Sequence, residues 1–278
     1  MREDDAKGHY VHGHHTSVLA SHARRSLAES APHLRPLLAP GQRVLDVGCG
    51  PGSITLDMAE AVGPEGSVLG LDFSPTAIET ARRAAAERGI TNVRFEVADL
   101  FALRPGLPPL RGRYNVVHAH QVLHHLADPR AAITVMAALV APGGLLSLRE
   151  VDYSSTAWTP PSEALSTWLA TLRAFMVAEG EHPDAGLILP LLAIEAGLDP
   201  EALTVTSSEW FYADAAARRQ LAAGWAERVR ASSYAESARR HALLDDAGLE
   251  SVASGWLEWA QAPRGAFLFR NTEVLARL

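Results

Sequence analysis

The sequence predicts an α/β fold, with a doubly wound, mostly parallel sheet of seven strands and helices on both of its faces. Two observations support this prediction. Short apolar segments alternate with helical segments of about 10–15 residues, an order typical of parallel sheets. The first apolar segment, 44–47, ends in the glycine loop 48–52, and a helix begins directly after it. The 278 residues suffice for one large domain of this class with modest additions.

The first half of the chain shows the regular alternation. The pair Pro40-Gly41 ends a segment with helical spacing of apolar residues and leads into the first strand. Gly63-Pro64 ends the next helix, and Ser74 followed by Pro75 is a typical N-cap and first helical residue. The predicted order is one or two helices within 16–38, strand 44–47, helix 53–62, strand 67–72, helix 75–88, strand 93–97, a Pro/Gly-rich loop 104–112, strand 114–119, helix 129–139 and strand 144–150.

Beyond residue 152 helical patterns dominate, and five of the six tryptophans lie beyond residue 160. The predicted order here is helices 162–179 and 186–196, strand 203–212, helices 213–230, 235–247 and 249–260, and a last strand 266–270. We therefore divide the chain into an N-terminal helical lid (1–40), a core (41–152), and a C-terminal part (153–278) that adds a helical cap and the final strands of the same sheet.

Composition restricts the class of partner. The net charge of −7 argues against a nucleic-acid-binding surface, which would require a basic stripe. No segment approaches 18 uncharged apolar residues, so we expect no membrane span. The single cysteine, Cys49, allows no intrachain disulfide and fits a reducing, cytoplasmic location.

Three strand ends carry the chemistry. The first strand leads into Asp46-Val47-Gly48-Cys49-Gly50-Pro51-Gly52, the second ends in Asp72-Phe73-Ser74, and the third is followed by Ala98-Asp99-Leu100. These runs resemble the ordered motifs of the class I S-adenosylmethionine-dependent methyltransferases, in particular the branch found in ubiquinone and menaquinone biosynthesis. The resemblance extends over about residues 40–152, through the fourth-strand segment 114–129 and the turn 139–144, and it implies a Rossmann-like methyltransferase fold.

The resemblance also implies roles for these residues in binding S-adenosylmethionine. Asp46 would orient the methionine amino group, Asp72 would accept both ribose hydroxyls, and Phe73 would pack on the adenine. Asp99 would accept from the adenine amine, while the backbone N–H of Leu100 donates to a ring nitrogen. The remaining expected contacts are Tyr10, Gly48, Cys49, Gly50, Ala98 and His120.

Two rival functions remain open. Nicotinamide-dependent dehydrogenases also have a glycine loop after the first strand, but theirs has the spacing G-x-G-x-x-G, whereas this chain has G-x-G-x-G. They also do not require Asp99. A protein of the methyltransferase fold that binds the cofactor but catalyses a pericyclic or decarboxylative step is the second alternative. The expected function is methyl transfer to a small, largely apolar metabolite at O, N or C.

The catalytic prediction rests on histidines after the fourth strand. His120 and His124 are the candidates for lining the active site or acting as a base, whereas His125 is expected to pack or cap locally. The run 123–130 also resembles plant-type O-methyltransferases, but Arg130 stands where their catalytic histidine would be. Catalysis by proximity without a base therefore remains an alternative.

The N-terminal histidines predict no metal site, because they lie in a segment without cysteine or fixed geometry. Instead, Tyr10 and the turn 13–15 are expected to cover the cofactor as part of the lid. We expect some of the C-terminal aromatic residues to form an apolar wall for the acceptor, and the helical additions to allow a homodimer. The candidate wall residues are the tryptophans, Phe175, Met176, Phe211 and Tyr212.

Overall fold

The computed structural model describes residues 25–102 and 112–278. Its seven strands form one sheet in the order β3-β2-β1-β4-β5-β7-β6, with β7 antiparallel to both neighbours and the pairs from β3 to β5 parallel. The predicted doubly wound, mostly parallel seven-stranded sheet is therefore confirmed. The strands are β1 Arg43–Val47, β2 Ser67–Asp72, β3 Val93–Val97, β4 Tyr114–His120, β5 Val140–Thr159, β6 Leu203–Tyr212 and β7 Ala266–Arg277.

Alternating side chains of the central strands build a core on each face of the sheet. Val44 and Val116 pack with the helix residue Met58 on one face, whereas Leu45 and Val117 belong to the core on the other face. The described helices are α1 Leu27–Ser30, α2 Ser53–Val62, α3 Pro75–Arg88, α4 Pro129–Leu139, α5 Glu163–Ala178, α6 Ala185–Glu195, α7 Ala215–Ala231, α8 Ser233–Arg240 and α9 Asp246–Trp259. None of them is long and apolar enough to cross a bilayer.

The N-terminal helix prediction is confirmed only in part over its described residues, where the helices are short. Within 25–38 only α1 is α-helical, followed by turns and the short 3₁₀ helix Arg35–Leu37. Pro32 and Pro36 explain the break, since each lacks the backbone N–H that a continuing helix requires. The rest of the predicted segment, 16–24, lies outside the described residues, as does most of the loop 104–112.

Three C-terminal elements differ in length from their predictions. β5 and β7 continue to Thr159 and Arg277, because they pair with each other from Leu145↔Arg277 to Thr159↔Ala266. Helix α8 ends at Arg240, and the backbone of Ala242 is left-handed at φ 52°, which no continuing helix accommodates. The extended β5–β7–β6 ribbon packs against an aromatic core of Trp168, Trp225, Trp256, Trp259, Phe267 and Phe269 from α5, α7, α9 and β7.

Candidate active site

The glycine loop after β1 is fixed to the end of β2. The N–H groups of Gly48 and Cys49 both donate to the carbonyl of Leu71, at 2.7 and 2.9 Å. Gly48 has a left-handed φ of 69°, and a Cβ there would overlap the side chain of Val122. Gly50, also left-handed, has open space where its Cβ would be. The loop thus presents bare backbone at the carboxyl end of the sheet, where ligands of doubly wound folds bind.

Asp72 organises this loop from the end of β2. One carboxylate oxygen accepts the N–H of Gly50 at 2.8 Å and the other accepts the N–H of Ser74, also at 2.8 Å. Ser74 in turn caps α3 by accepting from Ala77. Each carboxylate oxygen keeps a further lone pair for a ligand hydroxyl.

An apolar surface and a second carboxylate follow Asp72. Phe73 is 56% exposed, so its ring is available to a flat ligand. The N–H of Ala98 donates to the carbonyl of Asp72 at 3.0 Å, which places the segment after β3 beside the end of β2. Asp99 accepts the N–H of Phe101 at 2.8 Å, and Leu100 is buried.

Asp46, in β1, and Cys49, in the glycine loop, are both buried. Asp46 is 3% exposed and accepts a hydrogen bond from Thr55 at 2.6 Å. Burial raises its pKa to about 7, and the charge of Asp72 adds to the rise, while the Thr55 hydrogen bond opposes it. Burial likewise raises the pKa of the Cys49 thiol well above its usual range, which disfavours a nucleophilic thiolate.

His120, at the end of β4, lies between two arginines. Its Nε2 is 2.8 Å from Nη1 of Arg149, which is fully buried, and its Nδ1 is 3.4 Å from Nη1 of Arg25. A neutral imidazole has one acceptor nitrogen, and the shorter contact assigns it to Nε2. The next residue, Gln121, has a left-handed φ of 55°, and its side chain accepts from Arg25 and donates to Asn271.

His124 forms a buried pair with Glu150 in the middle of β5. Its Nδ1 is 2.6 Å from one Glu150 oxygen, while the other oxygen accepts the N–H groups of Val122 and Leu123 at 2.8 and 2.7 Å. An ionised carboxylate only accepts, so Nδ1 carries a proton and Nε2 is the nitrogen that exchanges one. Glu150 thus fixes both the loop backbone and the imidazole tautomer.

The remaining histidines form contacts within the fold. His125 pairs with Glu181 at 3.0 Å, in line with local packing. His118 and His33 each lie 3.0 Å from the hydroxyl of Ser147, which connects the two rings. No three His, Cys, Asp or Glu side chains in the described ranges are placed to hold a metal ion. Tyr10 and the histidines of residues 9–22 lie outside these ranges.

A cavity of about 960 Å³ opens beside the β4 end. Its walls come from the segment 25–32, one side of α7, and the strands β5, β6 and β7. Several of the side chains expected to form an acceptor wall line this cavity: Trp210, Phe211, Tyr212 and Trp225. Others are core residues instead, namely Trp168, Trp256, Phe175 and Met176. Gln121 also lines it, and the next residue, Val122, lies against Gly48, so the chain directly after β4 runs from the cavity wall to the glycine loop.

Sequence reasoning missed Arg149, Glu150 and Tyr153, all from β5. The signal available was the run Arg149-Glu150-Val151-Asp152, since charged residues within an apolar strand mark a functional edge. Their partners could not be inferred without the β4–β5 register, which pairs His120 with Arg149.

Comparisons with known proteins agree with this geometry. A family model described as a methyltransferase domain matches residues 38–182, just over half of the chain. An uncharacterized methyltransferase of Schizosaccharomyces pombe is 29% identical over 273 residues, which cover 96% of this chain and 95% of that protein. A ubiquinone biosynthesis O-methyltransferase of Albidiferax ferrireducens is 32% identical over 158 residues, covering 57% of this chain and 58% of that protein.

Among solved structures, the [4+2]-cyclase SpnF has a TM-score of 0.52 at 22% identity, covering 92% of this chain and 84% of that chain. This likeness shows a shared fold and nothing about activity. The family match, the relatives and the sheet order together confirm the resemblance seen in the strand-end motifs. The chain belongs to the class I S-adenosylmethionine-dependent methyltransferases.

Proposed function

We propose that the protein transfers the methyl group of S-adenosylmethionine to an oxygen, nitrogen or carbon of a small, largely apolar metabolite. One observation carries the proposal: the chain directly after β4, at Gln121 and Val122, runs from the wall of the aromatic-lined cavity of about 960 Å³ to the glycine loop. A cofactor on the loop and an acceptor in the cavity would therefore meet at the β4 end. A relative named as a ubiquinone biosynthesis O-methyltransferase supports methyl transfer to a metabolite.

The described residues fit the cofactor. Gly48, Cys49 and Gly50 would contact the cofactor through their backbone: Gly50 has open space where a Cβ would be, whereas glycine at position 48 makes room for the side chain of Val122. Asp46 would hold the amino group, whose positive charge favours the ionised carboxylate. Asp72, Phe73, Ala98, Asp99 and Leu100 would bind the nucleoside, and His120 would contact the methionine end.

The cofactor supplies an electrophilic methyl group on a sulfonium. This chain's contribution is to orient the acceptor and, where it must lose a proton, to accept that proton. The structure supports His124 as this base more strongly than His120. Glu150 orients the His124 ring by its Nδ1, whereas the acceptor nitrogen of His120 already takes a hydrogen bond from Arg149.

The proposal is tested by incubating the protein with methyl-labelled S-adenosylmethionine and an organic extract of the cells that make this protein. We expect label in an organic-soluble product and an equal amount of S-adenosylhomocysteine. The Asp72→Ala variant should show neither, because the ribose hydroxyls lose their acceptor.

The alternative, a cofactor-binding protein that catalyses a pericyclic or decarboxylative step, gives a different result. Metabolites in the extract would then change while no S-adenosylhomocysteine was released. That outcome would contradict methyl transfer as the function.

A further inference from the structure

Tyr153 of β5 is a buried tyrosine whose hydroxyl has no protein partner in the described part of the chain. Its side chain is 6% exposed and lines the cavity. Buried tyrosine hydroxyls normally find a hydrogen-bond partner. Tyr234, which is 2% exposed, donates to the carbonyl of Trp168 at 3.0 Å. The contrast leaves the Tyr153 hydroxyl, which borders the cavity, available to a ligand there.

The surroundings of Tyr153 place it toward the reacting end of the cavity. Its ring meets His124 edge-on at 6.4 Å between centroids, and His124 is held by Glu150, which lies three positions before Tyr153 on β5. Burial raises the pKa of the Tyr153 hydroxyl to about 12, although the charges of Arg228 and Arg25 lower it. The hydroxyl therefore stays protonated at neutral pH and can donate a hydrogen bond.

Part of the cavity lining is aromatic, which suits a flat, conjugated body: Phe211, which is 64% exposed, lines the cavity together with Trp210 and Trp225. The guanidinium groups of Arg25 and Arg149 lie 5.2 and 4.8 Å from the ring centroid of Trp210. The guanidinium of Arg228 lies 4.9 Å from the ring centroid of Trp225. Both tryptophans line the cavity. Aromatic rings favour offset or edge-on contact with other π systems.

We propose that the hydroxyl of Tyr153 is the polar anchor of the acceptor, donating to a carbonyl or enol oxygen of a flat, conjugated compound that packs against Trp210 and Trp225. This assignment rests on the proposed function, because it takes the cavity as the acceptor site. It adds the chemical class of the acceptor and the residue that recognises its oxygen.

A matched pair of probes tests the assignment without the natural acceptor. Dissociation constants of 9-fluorenone and fluorene, which differ by the carbonyl oxygen, are measured by equilibrium dialysis against the full chain. We expect fluorenone to bind about five- to tenfold more tightly, the range of one neutral hydrogen bond. Tyr153→Phe should reduce the ratio to about one while leaving the affinity for fluorene unchanged.

Two variants serve as controls. Tyr234→Phe removes a core hydroxyl and should preserve the ratio, and so should Tyr212→Phe, which removes the hydroxyl of another tyrosine that lines the cavity. Three results would overturn the inference. The first is a ratio that Tyr153→Phe leaves unchanged, and the second is a ratio that Tyr212→Phe abolishes instead. The third is no binding of fluorenone at 1 mM, on the order of a weak fragment affinity. Binding of S-adenosylhomocysteine is measured in parallel, so that its loss identifies failure of the proposed function instead.

Discussion

At the scale of single residues, the site depends on two fully buried carboxylates that fix other groups. Glu150 accepts from His124 and from two backbone N–H groups, and Glu273 accepts from Arg149, Thr206 and Ser208. An unpaired buried carboxylate would be costly, so each of these networks stabilises one arrangement of its members. The arrangement around Glu150 defines the imidazole tautomer that a base requires.

Glu150→Gln should lower turnover at least about tenfold while leaving S-adenosylhomocysteine affinity within about twofold. The amide can still accept the backbone N–H groups, but it no longer stabilises the imidazolium or secures the Nδ1–H tautomer. Turnover is measured as release of S-adenosylhomocysteine with the organic extract, and the tautomer by ¹⁵N NMR of labelled histidine.

Glu181→Gln is the matched control, since Glu181 pairs with the neighbouring His125 at 3.0 Å. It should leave turnover and the His124 tautomer unchanged. Equal losses in both variants, or a normal rate in Glu150→Gln, would contradict a role for the His124–Glu150 pair and favour catalysis by proximity.

At the scale of elements, helix α6 holds β5 by direct backbone contact. A Cβ at Gly186 would lie 2.7 Å from the backbone N of Asp152 and 2.7 Å from the carbonyl O of Glu150. No side chain can yield there, so only glycine allows this approach. Because Glu150 lies at the contact, the position of α6 helps to fix the carboxylate that holds His124.

Gly186→Ala should destabilise the protein by about 1–3 kcal/mol, the usual cost of overpacking, and lower turnover. Gly224→Ala is the matched control in α7, where a Cβ meets nothing within 4 Å. It should stabilise by about 0.5–1 kcal/mol, because glycine is unfavourable within a helix. Both changes are measured by chemical unfolding, and a Gly186→Ala protein as stable as the parent would refute the close contact.

The element bounds show what local sequence determines. Helices α2, α3 and α4 begin and end where predicted, because glycines, prolines and capping side chains mark them within a few residues. The extensions of β5 and β7 were missed because the segment after Asp152 has no apolar alternation. Its strand continues because Ala157–Thr159 pair with the distant residues 266–268, beyond an irregularity after Asp152. The glycine loop and the strand-end aspartates could be located from sequence because their motifs are local. The roles of Glu150 and Tyr153 could not, because their contacts come from distant segments of the chain.

At the scale of the whole molecule, buried titratable groups couple stability to pH. Burial lowers the pKa of His33 to about 4 and that of His118 to about 3, from 6.5. Below pH 6.5 the unfolded chain therefore binds more protons at these two sites, and stability falls as the pH falls. Asp46 acts oppositely: its pKa is raised from 3.8 to about 7, so between these values the folded state binds the extra proton and is favoured as the pH falls.

As the pH falls from 6.5 to 4, the two histidines lower the free energy of unfolding and Asp46 raises it. The net loss of stability is at most about 1.4 kcal/mol per pH unit, because one histidine remains unopposed. Asp46→Asn should make this loss steeper, because it removes the opposing group, and His33→Gln should make it shallower. Unfolding free energies measured from pH 4 to 8 check these signs, and an unchanged slope in Asp46→Asn would contradict them.

The central claim, that the three strand ends bind S-adenosylmethionine, is tested most directly by calorimetric titration with S-adenosylhomocysteine. We predict micromolar affinity and no binding of NADH, with Asp72→Ala weakening affinity at least about 100-fold, since hydrogen bonds to a charged group contribute about 1.5–3 kcal/mol each. Asp199→Ala, which removes the cap of the turn before β6, should bind as the parent does. Binding of NADH without S-adenosylhomocysteine, or full affinity in Asp72→Ala, would contradict the account.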